Sequence, residues 1–410
     1  MHGGSFRRLM LGALVLALAL RLLFSLAYWT GKPLTQDERE YLALAGSLAD
    51  GLGFTYPDDH AVGTGQRFSR APGYPVFLAA LGARESAAAP RRVQVVQAVL
   101  GTLVVWLLAA LAHRAAGPRA ALIAAYVAAV YPPLVWLSSY VFSEALYLPL
   151  ALACVLLLDV IANPAANAAE RHSLRYPIGA GLLAGIAMLV RSAMTAFLPL
   201  AALWLIYRGR FRQAVLLAFV VALIVLPWSF RNLHVHGRFI LVAADGGVTF
   251  WTGNHPLAIG EGDLAANPDI KRDEIAFRQA HPGLTAEQRE PFYYQDAMRQ
   301  ISHNPGWWLG LLARKTFYTF VPIGPSYTLH STKYLAASVV PYALLLPFGI
   351  AGAVGLFRRG AVIPLLLMAL SAVVMAVLFL PQERFRITGL DPLLIVAAAT
   401  AIAAVARPRS

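Results

Sequence analysis

The chain is short of charge. Only 13% of its 410 residues are Asp, Glu, Lys or Arg, about half of what a water-exposed surface carries. Hydrophobic residues make up 58%, and mean hydropathy is +0.60. That deficit excludes a soluble globular domain, and the apolar content excludes a disordered chain. The single cysteine, Cys154, excludes a disulfide framework; set in an apolar run, it reads as a small core or lipid-facing residue. Internal repeats and low-complexity linkers are missing too, which excludes fibrous and solenoid designs. Acids are the scarcest polar class, 21 against 34 bases, for a net charge of +13. In a soluble protein that excess would suggest nucleic acid.

The positions of the bases answer otherwise. Arg7, Arg8, Arg114, Arg119, Arg171, Arg175, Arg208, Arg210, Arg212, Arg358, Arg359, Arg407 and Arg409 fall at the ends and in short connections, against one acid, Glu170. This is the asymmetry of cytoplasmic loops, so both termini are expected inside and no nucleic-acid partner is implied. A span needs about 20 mostly apolar residues. Candidate spans run over about 9–28, 92–112, 119–137, 142–161, 176–190, 193–207, 213–228, 335–356, 361–380 and 388–406. The expected fold is thus an all-α polytopic membrane protein of about ten transmembrane helices, forming one integral-membrane domain over 1–410. Two extracytoplasmic loops, 29–91 and 229–334, carry short interfacial helices. Segment 306–322 is apolar but has Arg314 and Lys315 at its centre, which suits an amphipathic helix lying on the membrane. Length, and Arg21 within the first span, favour an uncleaved anchor there over a signal peptide.

Arg21, Glu144, Asp159, Arg191, Glu383, Arg384, Arg386 and Asp391 lie within spans or at their mouths, and charge at such depth marks candidate function. Asp159 sits near an inner end, where it can reach water, and Arg21 can snorkel or pair with Glu144. Glu144, Arg191, Glu383, Arg384 and Arg386 gather at outer ends, which suggests one polar site on the outer face. The first outer loop opens with TQDEREYLALAGSLADGLGF. Thr35 and Glu38 form a capping box, and Gly51 and Gly53 end a helix of about 15 residues. Asp37 is not needed for that box; helical spacing places it with Tyr41 and Leu44 on one face. A carboxylate there can take a proton from a hydroxyl, or simply favour the helix N-terminus. Arg67 and Arg70 precede a Pro-Gly-Tyr-Pro turn, where they meet lipid headgroups or a phosphate. Arg384 and Arg386, two apart before the last span, offer the bidentate grip on phosphate that lysine lacks.

In order, these pieces resemble the GT-C class of integral-membrane glycosyltransferases, in the bacterial branch related to protein mannosyltransferases and the lipid A aminoarabinose transferase. The matching segments are an arginine-bearing first span, QDEREYLALAGSLADGLGF, RAPGYPVFLAAL, SEALYLPL, LVRSA, PWSFRNLHVHGRF, DGGVTFWTGNHP and ERFRITGLDPLL. The resemblance implies an enzyme of the bacterial inner membrane, working at its outer face in lipopolysaccharide or protein glycosylation. It would use a polyprenyl-phosphate sugar and a glycan, lipid or protein acceptor. Asp37 would be the base; Arg384, Arg386, Arg191 and Arg70 would hold the donor phosphate; Glu38, Tyr41, Glu144, Arg231 and Asn232 would lie beside the acceptor. No cofactor is assigned. Some relatives place a divalent metal beside the site; Glu38, Glu144, His60, His234 and His236 are on offer, with no spacing that spells a metal site. Tyr74, Trp251, Tyr293 and Tyr294 could stack on sugars or pack the loops. The rivals are a glycan ligase or polymerase, which does not call for an acid directly after the first span, and a lipid-linked-sugar flippase or transporter, which calls for charge at the midplane and inverted repeats.

Overall fold

The structure, a computed structural model, describes residues 3–56, 69–162, 173–322, 324 and 331–405. Asp58, His60, Arg67, Glu170, Arg171, Arg407 and Arg409 lie outside the described residues. Helices account for the fold, and among the described residues no strand forms. In chain order they are α1 (Gly3–Leu23), α2 (Gln36–Ala49), α3 (Gly73–Ala80), α4 (Arg91–Ala116), α5 (Pro118–Val130), α6 (Pro132–Trp136), α7 (Glu144–Ala162), α8 (Arg175–Val190) and α9 (Met194–Tyr207). They continue with α10 (Phe211–His236), α11 (Gly246–Gly253), α12 (Pro268–Gln279), α13 (Ala286–His303), α14 (Pro305–Phe320), α15 (Thr332–Arg359), α16 (Ile363–Leu378), α17 (Glu383–Gly389) and α18 (Asp391–Val405).

This is a multi-pass membrane protein. Gly4–Tyr28, Arg91–Ala116, Glu144–Ala162, Phe211–His236 and Thr332–Arg359 are each long and apolar enough to cross a bilayer, and α17 with α18, bent by 50°, passes as a pair. The other expected spans are occupied by shorter apolar helices, α5, α8, α9 and α16. With 13 to 16 residues each, they run about 20–24 Å, short of the ~30 Å hydrocarbon core.

The expected span 119–137 is one of these, cut in two by Pro132 and Pro133. A helical residue bonds the carbonyl four residues back, so these prolines, lacking N–H, leave the carbonyls of Ala128 and Ala129 without their usual donors. Arg21 supplies the donors. Its Nη2 donates to Ala128 O at 3.3 Å and its Nη1 to Ala129 O at 3.3 Å and to Ala17 O at 3.0 Å. Gly101 leaves the room, since a Cβ there would sit 2.7 Å from Arg21 Nε. Arg21 is fully buried and neither snorkels nor pairs with Glu144; it caps a broken helix.

Small residues bring the helices close. On α8, Gly181 and Gly185 sit against Val220 and Ile224 of α10. That register leaves α10 running about 10 Å past the end of α8. Gly349 and Gly352 of α15 admit Leu394 and Ala397 of α18 in the same way. A second, smaller apolar cluster of Val248, Trp251, Ile270, Tyr293, Ala297 and Leu311 fixes α11 to α14 over this end of the bundle. In α14 the stripe Leu311, Lys315 and Thr319 is buried, while Leu309, Phe317 and Phe320 face outward.

Candidate active site

Local chemistry places Asp37. Thr35 caps α2: its hydroxyl accepts from the Glu38 N–H, and Glu38 Oε2 accepts from the Thr35 N–H at 2.8 Å. The other Glu38 oxygen accepts from the Val141 N–H at 2.8 Å. Glu38 therefore ties the start of α2 to the non-helical turn before α7. Gln94 and Gln97 hold the same turn through the carbonyls of Ser138, Ser139 and Tyr140, and Tyr74 donates to Gln97 Oε1 at 2.6 Å. Asp37 and Glu144 are thereby fixed with respect to each other.

Three arginines from distant segments close on these acids. Arg70 Nη2 lies 2.7 Å from Asp37 Oδ1 and 2.7 Å from Glu40 Oε2, and its guanidinium stacks on Tyr41, 5.1 Å from the ring centroid. Arg384 pairs with the other oxygen of Asp37 and reaches within 3.9 Å of Glu144. Arg191 Nη1 pairs with Glu144 Oε1 at 2.6 Å and lies over the ring of Phe385. Ser143 joins the two halves, accepting from Tyr41 OH at 3.2 Å and from Arg191 Nη1 at 3.3 Å. Gly73 makes this convergence feasible: a Cβ there would lie 2.9 Å from the backbone nitrogen of Val190, directly before Arg191.

The result is an alternating string of carboxylates and guanidiniums, mostly closed to solvent yet open at Arg384 and Asp37, whose side chains are 32% and 20% exposed. Burial alone would raise the proton affinity of Asp37, but Arg70 and then Arg384 hold its carboxyl far below the usual range. Burial wins at Glu40, whose carboxyl is pushed up despite Arg70. Nearby stands Asp245, at the start of α11. Burial raises it against the pull of Arg70 and Arg191, and among the described residues no other side chain bonds its carboxylate. Glu290, on α13 against the start of α11 beside Asp245, is pushed up to about 7 by burial.

Several expected site residues stand elsewhere. Arg386 is 5% exposed and turns away from Arg384 into a cluster with Asp391, Glu383 and Tyr342. The two arginines leave one short helix on opposite sides, because two residues turn it by about 200°. Asn232 donates to the carbonyls of Ile240 and Val242, and Arg231 stacks on Trp228 and Phe54, so both brace the exit of α10 and not the arginine string. Asp159 is not solvated: at the opposite end of α7 it pairs with Arg114 Nε at 2.5 Å. Tyr74, Trp251 and Tyr293 are buried in packing. Among the described residues no group of three His, Cys, Asp or Glu side chains could hold a metal ion. Asp37, Glu40 and Glu144 each face a guanidinium, a donor set that does not fit a divalent cation.

A family model described as dolichyl-phosphate-mannose-protein mannosyltransferase matches residues 71–230, a stretch that includes Glu144 and Arg191. Over nearly the whole chain the fold matches an oligosaccharyltransferase of Archaeoglobus fulgidus, solved tethered with an acceptor peptide: TM-score 0.59 at 15% identity, over 98% of this chain and 50% of that one. The fold is GT-C. The A. fulgidus enzyme AglB in complex with an inhibitory peptide and a dolichol-phosphate matches at TM-score 0.55 and 17% identity, over 97% and 50%. ArnT from Cupriavidus metallidurans bound to undecaprenyl phosphate matches at TM-score 0.44 and 13% identity, over 98% and 78%. The chain spans about half the length of the oligosaccharyltransferase structures it matches. No curated protein matches its sequence.

Within this GT-C fold, sequence reading missed Glu40, Ser143 and Asp245. Glu40 carried a signal, since it lies one turn after Asp37 on the same helical face. Asp245 carried one too, as an acid before a Gly-Gly pair that opens a short helix. Ser143 carried none beyond its place next to Glu144.

Proposed function

We propose that this chain is a membrane glycosyltransferase, moving a sugar from a polyprenyl-phosphate donor to an acceptor hydroxyl at the extracytoplasmic face, with inversion. The observation that carries the reading is Asp37 held between Arg70 and Arg384 at the open mouth of a helical bundle. The mannosyltransferase family match and the dolichol-phosphate bound by the related AglB support a lipid-phosphate donor. The same guanidiniums that grip Asp37 suit a phosphate. When Arg384 turns to the donor phosphate, Asp37 loses a partner that depresses its proton affinity. The base is thereby strengthened when it is needed.

In the step itself, Asp37 takes the proton of the acceptor hydroxyl as that oxygen bonds the anomeric carbon. The bond from that carbon to the phosphate oxygen breaks on the opposite side, and the electron pair leaves with the polyprenyl phosphate. Arg384, with Arg191 and Arg70 behind it, stabilises the departing anion. No step requires a metal. The acceptor is a glycan, a lipid or a protein, and the setting is the bacterial inner membrane with both termini inside.

Purified protein is incubated with a panel of radiolabelled polyprenyl-phosphate sugars in detergent. Release of free lipid phosphate is expected with at least one donor; binding without release across the panel would favour a flippase. A cysteine at Asp269, 69% exposed, in a Cys154→Ala background is expected to react with an impermeant maleimide in intact cells. Protection there would overturn the facing.

A further inference from the structure

Arg386 lies at the 50° bend where α17 meets α18. Its Nε is 3.3 Å from Asp391 Oδ1, and its Nη2 is 3.4 Å from Ser338 Oγ and 3.8 Å from Glu383 Oε1. The guanidinium carbon lies over Tyr342, 4.3 Å from the ring centroid. Asp391 is fully buried and accepts from Tyr131 OH at 3.0 Å, while Glu383 also accepts from Ser338. These partners come from the α5–α6 junction, α15, α17 and α18. Arg386 therefore joins four segments at the point where the chain turns, two residues after Arg384.

A donor phosphate could reach this guanidinium only by displacing two carboxylates and a ring, in a region with 5% of the arginine exposed. Removing one partner of such a buried pair leaves an uncompensated charge, so the pair acts as a unit. We propose that Arg386 is a positioning residue: its ion pair with Asp391 sets the bend of α17 on α18 and so delivers Arg384 to Asp37 and to the donor phosphate. The role of Arg384 in this statement rests on the glycosyltransferase reading; the bend and its delivery of Arg384 to Asp37 do not.

Residues that act only through another lose their effect once that other is altered. Dolichyl phosphate is the binding probe. Arg384→Lys is expected to weaken it about tenfold, since a point charge replaces a fork, and Arg386→Lys and Asp391→Asn to weaken it by factors similar to each other. In the Arg384→Lys background the last two should add less than about twofold. If Arg386→Lys keeps its full factor in that background, or if Asp391→Asn has no effect while Arg386→Lys does, the guanidinium touches phosphate directly and the proposal is overturned. Should Asp391→Asn fail to accumulate, Tyr131→Phe, which removes only the hydroxyl on Asp391, carries the same comparison.

A second readout needs no ligand. With Asp37→Cys and Arg384→Cys in a Cys154→Ala background, a short bifunctional maleimide is expected to link the two positions, and adding Arg386→Lys should abolish the link. An unchanged link would overturn the positioning role. Failure of the wild type to bind dolichyl phosphate would count against the glycosyltransferase reading alone, and the cross-link would still decide this one.

Discussion

Both ends of α7 carry a buried carboxylate facing an arginine, yet the two ends differ in what surrounds the pair. At one end Asp159 meets Arg114 at 2.5 Å, and the same arginine also donates to the Asp159 carbonyl. At the other, Glu144 shares its oxygen between Arg191 and Arg384, and Arg384 goes on to Asp37, which is shared with Arg70 and through it with Glu40. The first ties the ends of α4 and α7 together, one arginine holding both the carboxylate and the carbonyl of one residue. The second is a chain of exchangeable partners with its middle open, so a ligand anion can replace a carboxylate without stranding a charge. Burial of charge is common to both ends. What marks function is the sharing of partners together with access.

The sharpest way to break that comparison is to change one carboxylate at each end. Asp37→Asn removes the proposed base while keeping its size, and turnover with a polyprenyl-phosphate sugar should fall about a hundredfold to ten-thousandfold. Binding of dolichyl phosphate should hold or tighten, because Arg70 and Arg384 lose a competitor. Asp159→Asn, by contrast, should leave turnover within a few fold. Near wild-type turnover in Asp37→Asn would remove the distinction between the ends.

A smaller effect is expected from the cations. Arg384→Lys should lower turnover by about ten- to a hundredfold, since lysine cannot serve Asp37 and a phosphate in one plane. Arg114→Lys should change it by less than about threefold. Equal losses would mean that both pairs are structural.

Stability should order the ends the other way. Arg114→Met takes from Asp159, which is about 3% exposed, its guanidinium partner at 2.5 Å, and removing one member of a buried pair costs up to about 3–5 kcal/mol. Arg114→Met with Asp159→Leu should recover most of that loss. Thermal unfolding in detergent checks this, and no recovery in the double variant would show that Asp159 has other work.

How much of this was legible in the sequence follows from range. The capping box of Thr35 and Glu38 lies within one turn, and α2 forms over 14 residues, close to the expected 15. Apolar runs likewise located the membrane helices, but not their lengths: Pro132 and Pro133 cut one span, and Arg21, 108 residues from Ala129, mends the cut. Asp37 could be singled out by its place on a helix, whereas its partners are 33 and 347 residues away, and no local pattern carries such pairings. That Arg384 and Arg386 lie in different surroundings escaped notice for a different reason. Two arginines two apart look equivalent as text but lie on opposite sides of a helix, a fact that helical periodicity held all along.

The smallest effect tests the border of the open end, where Glu290 stands beside Asp245 and is pushed up to about 7 by burial, with Arg238 opposing and Asp245 adding to the rise. A carboxyl raised in the folded state binds its proton more tightly there than in the unfolded chain. Its contribution to stability is thus fully present below the unfolded value of about 4.3 and is lost as pH rises through about 7. Between these limits the wild type should lose stability with rising pH relative to Glu290→Gln, whose amide does not titrate. Below about pH 4 the wild type should hold its full margin over the variant; at pH 5 part of it is already lost, and by pH 7.5 its thermal midpoint should have dropped by about 1–3 °C more relative to the variant. Parallel midpoints across pH 5 to 7.5 would show that Glu290 finds a counter-charge, and that carboxylates at the open end are neutralised by arginine alone.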